Sequence, residues 1–153
     1  ILTTGGVSVG EKDIVEQTYY EIGAEICFHG VKMKPGSPMM GGKYKKSVII
    51  SFSGNPYGAF VNMELFLKPV LEVLSGNQKY RGKFREGILE EDFLKISPTP
   101  RFVRANWNNG RVRLASGNAS GVLSTLSGCN CLLRVSENGN GLKKGETVCV
   151  RML

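Results

Sequence analysis

The sequence has no apolar run long enough to cross a bilayer. Apolar stretches such as Val48-Ile-Ile-Ser-Phe52 fall far short of the roughly 20 consecutive apolar residues that a transmembrane helix needs. The N-terminus also lacks the charged and apolar segments of a signal peptide. We therefore expect no membrane partner, and we predict a soluble protein that works in the cytoplasm.

Cysteine and tryptophan are also scarce. The four cysteines are too few for a disulfide framework, and Cys129-x-Cys131 is spaced too tightly for a zinc knuckle. Alternation along a strand would place these two cysteines on one face as small apolar side chains. With a single tryptophan and few aromatic side chains expected at the surface, little area is left on which nucleic-acid bases could stack. This composition argues against a nucleic-acid partner.

The net charge of +7 is unevenly distributed. Residues 1–76 carry seven Lys against seven Asp or Glu, whereas residues 77–153 carry thirteen Lys or Arg against six Asp or Glu. The positive excess therefore lies in the second half and suggests an anionic partner. A nucleic acid, a phosphorylated cofactor and an acidic protein surface all fit, and so does an ordinary basic surface.

The first half predicts alternating strands and helices. Residues 13–16 have the D-x-x-E form of a capping box and Gly23 suits the position after a helix, so we predict a helix over about residues 14–22. Two strands are predicted, one from alternation over Glu25–His29 and one from the nearly continuous apolar run Ser47–Phe52. The second strand should be buried in a parallel or mixed sheet.

A second helix should begin at Asn55-Pro56, where a capping residue precedes a proline at the first helical position. Pro69 is predicted to kink or end this helix, and Ser75-Gly76-Asn77 to close it. The chain starts with Ile-Leu running into a turn, like the end of a strand, so we expect a fragment of a longer protein. We predict the C-terminal part of an α/β domain over residues 1–76 and a β domain over residues 77–153.

The second half consists of short alternating stretches. They are separated by turns such as Asn109-Gly110, a pattern that predicts a small all-β barrel or sandwich. The predicted strands are Phe102–Ala105, Arg111–Ala115, Cys131–Val135 and Thr147–Arg151.

The segment Thr3-Thr-Gly-Gly-Val-Ser-Val-Gly-Glu-Lys-Asp13 is a turn rich in glycine and hydroxyl groups between a strand and a helix. Backbone N–H groups there favour a phosphate or another oxyanion, and glycine lets the anion approach closely. Glu11 and Asp13 could hold Mg²⁺ against a phosphate, because hard cations prefer oxygen ligands. The simpler alternatives are a tight connection and, for Asp13, a helix cap.

Two further segments have a similar character. Lys34 stands in the loop Lys34-Pro-Gly-Ser-Pro38, whose stiffness lowers the entropy lost when the ammonium group binds an anion. A solvated loop lysine is the simpler alternative. Ser53-Gly-Asn-Pro56 is a second strand-to-helix junction, whose simpler role is capping by Asn55. If the two strands are neighbours, both junctions face one oxyanion site.

In order and spacing these three motifs resemble the molybdopterin molybdenumtransferase family, whose eukaryotic relative is the gephyrin E domain. In that family the motifs read GGVSVGE-x-D, close to KPGKP, and PGNP. Residues 116–133 and the ending Leu142-Lys-Lys-Gly-Glu-Thr-Val148 are similar to the C-terminal barrel of the family. The resemblance thus covers essentially the whole chain.

The resemblance implies a partial three-layer molybdopterin-binding α/β domain followed by a small barrel-like β domain. It implies a homodimeric full-length enzyme that inserts molybdate into adenylylated molybdopterin (molybdopterin-AMP), uses Mg²⁺ and releases AMP. This chain alone would be inactive, because parts of the site lie elsewhere in the family's longer proteins. The alternative is a non-catalytic, gephyrin-like scaffold that binds a partner protein.

The resemblance also assigns roles to residues. Asp13 and Lys34 are the catalytic candidates, and Asp13 and Glu11 are the metal-ligand candidates. The sequence departs from the family pattern at Gly30 and Ser37, where lysine is usual, and at Ser53, where proline is usual; Lys32 offers a neighbouring positive charge. The candidates for binding molybdopterin or an oxyanion are Gly5, Gly6, Ser8, Gly10, Ser37, Ser53, Gly54, Asn55 and Pro56.

Overall fold

The structure, a computed structural model, describes residues 1–8, 10, 13–115 and 126–153. Within these residues the elements are β1 (Leu2–Thr4), α1 (Val15–Glu21), β2 (Glu25–His29), β3 (Met40–Tyr44), β4 (Ser47–Phe52), α2 (Pro56–Asn62), a π-helical turn (Met63–Leu67), α3 (Lys68–Ser75), a 3₁₀ turn (Gln78–Tyr80), β5 (Lys83–Leu89), β6 (Arg101–Asn108), β7 (Arg111–Leu114), β8 (Cys131–Val135) and β9 (Thr147–Met152). The strands form an open sheet in the order β1-β4-β3-β2 and a closed barrel in the order β5-β7-β6-β8-β9. The predicted fold class is confirmed, and the division at residues 76 and 77 stays a prediction.

The open sheet lies between two helical layers. Side chains alternate between the faces of β4, so that Ile49 packs on the side of α1 with Tyr19, whereas Ile50 packs on the side of α2 and α3 with Met39. All four of these side chains are buried. Burial on both faces explains why β4 reads as a continuous apolar run.

Strand β3 was not predicted. It pairs antiparallel with β2 and β4, and its centre is Gly41-Gly42, which gives no pattern of alternating apolar side chains. The glycines are there because neighbours lie too close for a side chain. A β-carbon on Gly41 would stand 2.2 Å from the ring of Phe28. Close packing thus removes the very signal that would reveal the strand.

The predicted capping box at the start of α1 is wrong. The N-cap position belongs to Ile14, which makes no side-chain capping bond. Asp13 instead accepts a 2.9 Å hydrogen bond from the N–H of Gly10, and its own N–H donates to the carbonyl of Gly10. Glu16 lies 3.4 Å from Nδ1 of His29. The reason is that the glycine turn uses the Asp13 carboxylate to close itself before the helix begins.

The stop at the end of α1 is confirmed. Gly23 has φ +71°, and its N–H donates to Tyr20 while the N–H of Ala24 donates to Tyr19. This pair of bonds is a Schellman motif, which satisfies the last carbonyls of the helix.

Because this position is left-handed, Gly23→Ala should lower the free energy of unfolding by about 1 kcal/mol. A β-carbon there would meet nothing within 4 Å, so backbone strain is the whole expected effect. Gly128→Ala is the matched control, because it is equally open and has no positive φ. Chemical denaturation of both variants would test this. An equal change in the free energy of unfolding for Gly23→Ala and Gly128→Ala would contradict it.

The second helix begins and ends where the sequence predicts. Asn55 caps it through a 3.0 Å bond from the N–H of Gly58, as predicted. Pro69 does not end it, because a π-helical turn comes directly before the proline and α3 continues to Ser75. A wider turn of this kind accommodates a residue that lacks an N–H. Gly76, with φ +67°, closes the helix as predicted.

Among the described residues no helix is both long and apolar enough to cross a membrane.

The barrel contains the four predicted strands, with small shifts at their ends, and also β5. Strand β5 was missed because its first four residues are all exposed and show no alternation. Asn109 and Gly110 have φ +47° and +77° and form the predicted turn between β6 and β7.

Cys131 is buried in β8, but Cys129 lies outside the strand, so the predicted shared face is wrong. The barrel core consists of Leu89, Val103, Ala105, Val112, Cys131, Leu133, Val135, Val148 and Val150.

The outer face of the barrel packs against α2. Met33, Tyr57, Val61 and Leu132 form a buried cluster that contains side chains from both halves of the chain. The two halves therefore share an apolar interface, which fixes the start of α2 relative to the barrel.

Candidate functional site

The two glycine junctions lie side by side at one edge of the sheet. Strands β1 and β4 are parallel neighbours with Thr4 opposite Phe52, so both chains leave the sheet at the same edge. The N–H of Gly5 donates to the carbonyl of Phe52 at 3.0 Å, and the hydroxyl of Thr4 donates to the carbonyl of Ser53 at 3.0 Å. The condition that the sequence left open, that the two strands are neighbours, is therefore met.

The two junctions are in close backbone contact. Gly5 and Gly6 have φ +82° and +67°, values that only glycine adopts readily. A β-carbon on Gly54 would lie 3.2 Å from the α-carbon of Gly5. Side chains at these positions would push the junctions apart, so the glycines allow two backbones to line a common surface.

Asp13 closes the first turn through its bonds with Gly10. Ser8 and Gly10 are exposed, and Asp13 is half-buried. The carbonyl of Gly6 accepts the N–H of Val15, which ties the turn to the start of α1. Glu11, the second predicted metal ligand, lies outside the described residues.

At the second junction Ser53 is buried and the backbone of Asn55 is held in place. The N–H of Asn55 donates to Oγ of Ser53 at 3.3 Å, while the Asn55 side chain caps α2. Pro56 is exposed at the first helical position and Gly54 is exposed in the turn. This junction therefore presents an exposed backbone at the N-terminus of a helix that continues to Ser75.

The loop of residues 34–38 is fixed between the helix and the barrel. The N–H of Lys34 donates to the carbonyl of Pro100 at 2.9 Å, and the N–H of Phe102 donates to the carbonyl of Lys34 at 2.8 Å. The side chains of Lys34 and Ser37 are exposed. A rigid backbone with an exposed lysine suits a point charge that binds an anion.

Sequence reasoning missed two polar residues that hold these segments. Asn62 is fully buried and joins the second junction to the 34–38 loop: its Oδ1 accepts from the N–H of Ser53 at 3.3 Å and its Nδ2 donates to the carbonyl of Gly36 at 2.9 Å. His29 lies 3.2 Å through Nε2 from the carbonyl of Val7 in the glycine turn. A polar residue inside a predicted helix gives no signal of a long-range contact, whereas the single histidine could have been singled out.

The barrel adds a buried positive charge beside the start of α2. The guanidinium of Arg104, fully buried, lies 4.3 Å from the centre of the Tyr57 ring. Burial raises the pKa of the Tyr57 phenol, an effect that Arg104 partly opposes. The phenol therefore stays neutral and donates to the carbonyl of Phe102 at 2.8 Å. This contact couples the helix at the site to β6.

The described residues contain no group of three or more His, Cys, Asp or Glu side chains that could hold a metal ion. Asp13 is the one described carboxylate among the predicted ligands. A carboxylate has about four lone-pair sites, so Asp13 can hold a cation while accepting from Gly10. Mg²⁺ is often held by one or two carboxylates together with substrate phosphates, and this donor set fits that mode.

Comparison with known proteins agrees with the motifs. Residues 1–73 match the family described as "Probable molybdopterin binding domain", and residues 86–153 match "MoeA C-terminal region (domain IV)". The chain is 35% identical to the molybdopterin molybdenumtransferase of Staphylococcus aureus (strain COL), over 97% of this chain and 36% of that protein. It is 31% identical to the enzyme of the same name from Bacillus subtilis (strain 168), over 100% of this chain and 36% of that protein.

The fold is also similar to that of a solved MoeA structure. The molybdopterin biosynthesis MoeA protein of Pyrococcus horikoshii OT3 superposes with a TM-score of 0.72 at 27% identity, over 94% of this chain and 39% of that one. The chain therefore spans little more than a third of the length of these relatives. With both of its halves matched in this way, the chain belongs to the molybdopterin molybdenumtransferase family.

Proposed function

We propose that the protein carrying this chain inserts molybdate into adenylylated molybdopterin and releases AMP, which completes the molybdenum cofactor. The observation that carries this proposal is the parallel pairing of β1 with β4, which brings two glycine junctions together at one sheet edge. Backbone N–H groups at such an edge favour tetrahedral oxyanions, and both phosphate and molybdate are of this kind. The names of the relatives support the transfer of molybdenum to molybdopterin.

Each part of the site has a task in this proposal. The backbone of Gly5, Gly6 and Gly54 lines the surface that the phosphates approach, and the hydroxyls of Ser8 and Ser37 donate hydrogen bonds. The ammonium group of Lys34 balances the negative charge that grows on the phosphates as the bond between them breaks. Water adds across the phosphoanhydride bond, so that AMP leaves with its own phosphate and molybdopterin keeps the other, while molybdate enters the cofactor.

Asp13 orients the cation side of the site. When Mg²⁺ is bound it polarises the phosphoanhydride as a Lewis acid, and Asp13 and Glu11 are the residues that we propose to hold it. For the full-length protein we further propose a homodimer that acts in the cytoplasm. Both parts of this proposal rest on the resemblance of the motifs to those of the family.

Titration calorimetry of the full-length protein with molybdopterin-AMP tests the proposal against a non-catalytic scaffold. The enzyme should bind the nucleotide, whereas a scaffold should release no heat. Lys34→Ala should raise the dissociation constant about tenfold, the equivalent of roughly 1.4 kcal/mol for a lost charge-assisted contact.

Lys46→Ala is the matched control, because Lys46 is also exposed but lies in the turn before β4, at the opposite end of that strand from the site. It should bind like the parent protein. If Lys34→Ala also bound like the parent, Lys34 would have no part in anion binding.

A further inference from the structure

We propose that Asn62 is a positioning residue that sets the separation between two anion-binding segments, the Ser53 junction and the loop that carries Lys34. It is the one side chain in the described residues that is hydrogen-bonded to both of these segments. The inference rests on the proposed function, because it concerns the geometry of the same site.

The contacts of Asn62 require an amide. Its oxygen accepts from the N–H of Ser53 and its nitrogen donates to the carbonyl of Gly36. At neutral pH an asparagine amide carries both a donor and an acceptor on one carbon, whereas an ionised aspartate carries acceptors only. Asn62 is 0% exposed, so water cannot replace either partner, and loss of the side chain would leave two backbone groups unpaired.

The packing around Asn62 leaves no room for the loop to move toward the helix. A β-carbon on Gly36, which has φ +89°, would lie 2.6 Å from Nδ2 of Asn62 and 2.9 Å from the carbonyl oxygen of Gly58. A β-carbon on Gly58 would lie 3.0 Å from Oγ of Ser53. The loop, the junction and the first turns of α2 therefore touch through backbone, and the Asn62 amide fixes them in register.

The consequence for the site concerns Lys34 and Ser37. Both side chains are exposed and both leave the loop within two residues of Gly36. If the carbonyl of Gly36 loses its partner, the loop no longer has a fixed distance from the second junction. An anion that contacts both segments then binds more weakly, although no residue that touches it has changed.

The test combines Asn62→Leu, which keeps the branching of the side chain and removes both hydrogen bonds, with Lys34→Ala in a double-mutant cycle. Binding of molybdopterin-AMP to the full-length protein is measured by calorimetry. We expect Asn62→Leu to weaken binding about tenfold, roughly 1.4 kcal/mol. Because the two residues act through one loop, Lys34→Ala should have less than half of its usual effect in the Asn62→Leu background.

Hydrogen exchange provides a readout that does not depend on substrate. The amides of Gly30 and Val31 donate to the carbonyls of Met39 and Ser37 across the base of the loop, and their exchange should speed up in Asn62→Leu. Asn62→Ser, whose hydroxyl is too short to reach both partners, is the second variant if the leucine variant does not fold.

Asn130→Leu is the matched control. Asn130 also bridges two backbone groups, since it accepts from the N–H of Trp107 at 2.8 Å and donates to the carbonyl of Trp107 at 2.9 Å. It lies in the barrel, and its loss should lower stability without changing loop exchange or affinity.

Unchanged loop exchange in both Asn62 variants would overturn the inference, and so would strictly additive effects of Asn62→Leu and Lys34→Ala. If the parent protein did not bind molybdopterin-AMP, the proposed function would fail, while the exchange measurement would still decide whether Asn62 holds the loop.

Discussion

Asp13→Asn in the full-length protein is expected to lower the rate of molybdenum insertion by about 100-fold or more, since each lost 1.4 kcal/mol of transition-state stabilisation is roughly a factor of ten. The melting temperature should hardly change. The asparagine carbonyl can still accept the bond that the N–H of Gly10 gives to Asp13, so the glycine turn keeps its closure. The change therefore removes the charge that would hold Mg²⁺ and leaves the local fold in place.

The control for this variant is Glu21→Gln. Glu21 is an exposed carboxylate at the other end of α1 whose contact is with Gln17, one turn earlier. Glu21→Gln removes the same charge from the same region without touching the turn. The activity of this variant should equal that of the parent protein. Glu16 is a poorer control, because it faces His29, which contacts the turn at Val7. If Asp13→Asn inserted molybdenum at the parent rate, Asp13 would be a structural residue only.

Arg151→Met is expected to lower the free energy of unfolding by about 1.5–3 kcal/mol, because it removes a charged donor from a buried carbonyl and one of the two cations beside a buried carboxylate. Nε of Arg151, in β9, lies 3.6 Å from Oε2 of Glu64 in the π-helical turn, and the Arg151 side chain also donates to the carbonyl of Glu64. The side chains are 9% and 3% exposed. The variant would leave the Glu64 carboxylate buried at the interface between helix and barrel, with Lys68 as its remaining partner.

An exposed pair in the same region serves as the control. Nε of Arg81 lies 2.8 Å from Oε1 of Glu72, but the Arg81 side chain is 66% exposed. Arg81→Met should therefore change stability by less than about 1 kcal/mol. Chemical denaturation would compare the two, and the double variant Glu64→Leu with Arg151→Met should recover part of the loss because no carboxylate then remains buried at the interface. A loss in Arg151→Met no larger than in Arg81→Met would show that the pair does not stabilise the interface.

The sequence predicted the elements whose signals are local. The cap at Asn55, the stop at Gly23 and the strand Ser47–Phe52 all depend on residue types within a few positions of one another, and the structure has each of them. The D-x-x-E pattern at residues 13–16 is also local, but two arrangements compete for it. The carboxylate of Asp13 can cap a helix or close the preceding turn, and only the geometry of that turn decides.

The elements and residues that the sequence did not predict depend on contacts between distant parts of the chain. Strand β3 carries glycines because Phe28 packs on it, and a glycine pair reads as a turn when its neighbours are unknown. Asn62 contacts a loop 26 residues earlier in the chain, and nothing in its own helix indicates that bond. The motifs located the candidate site. The residues that hold the motifs in register could be identified only from the fold.

We propose that the edge shared by β1 and β4 carries out molybdenum insertion in the full-length protein. The release of AMP from molybdopterin-AMP by the purified full-length protein, with and without molybdate, tests this directly. We expect AMP release that depends on molybdate and that falls about 100-fold or more in Asp13→Asn. AMP release that is no faster than in buffer alone, or that is the same in Asp13→Asn as in the parent, would contradict it.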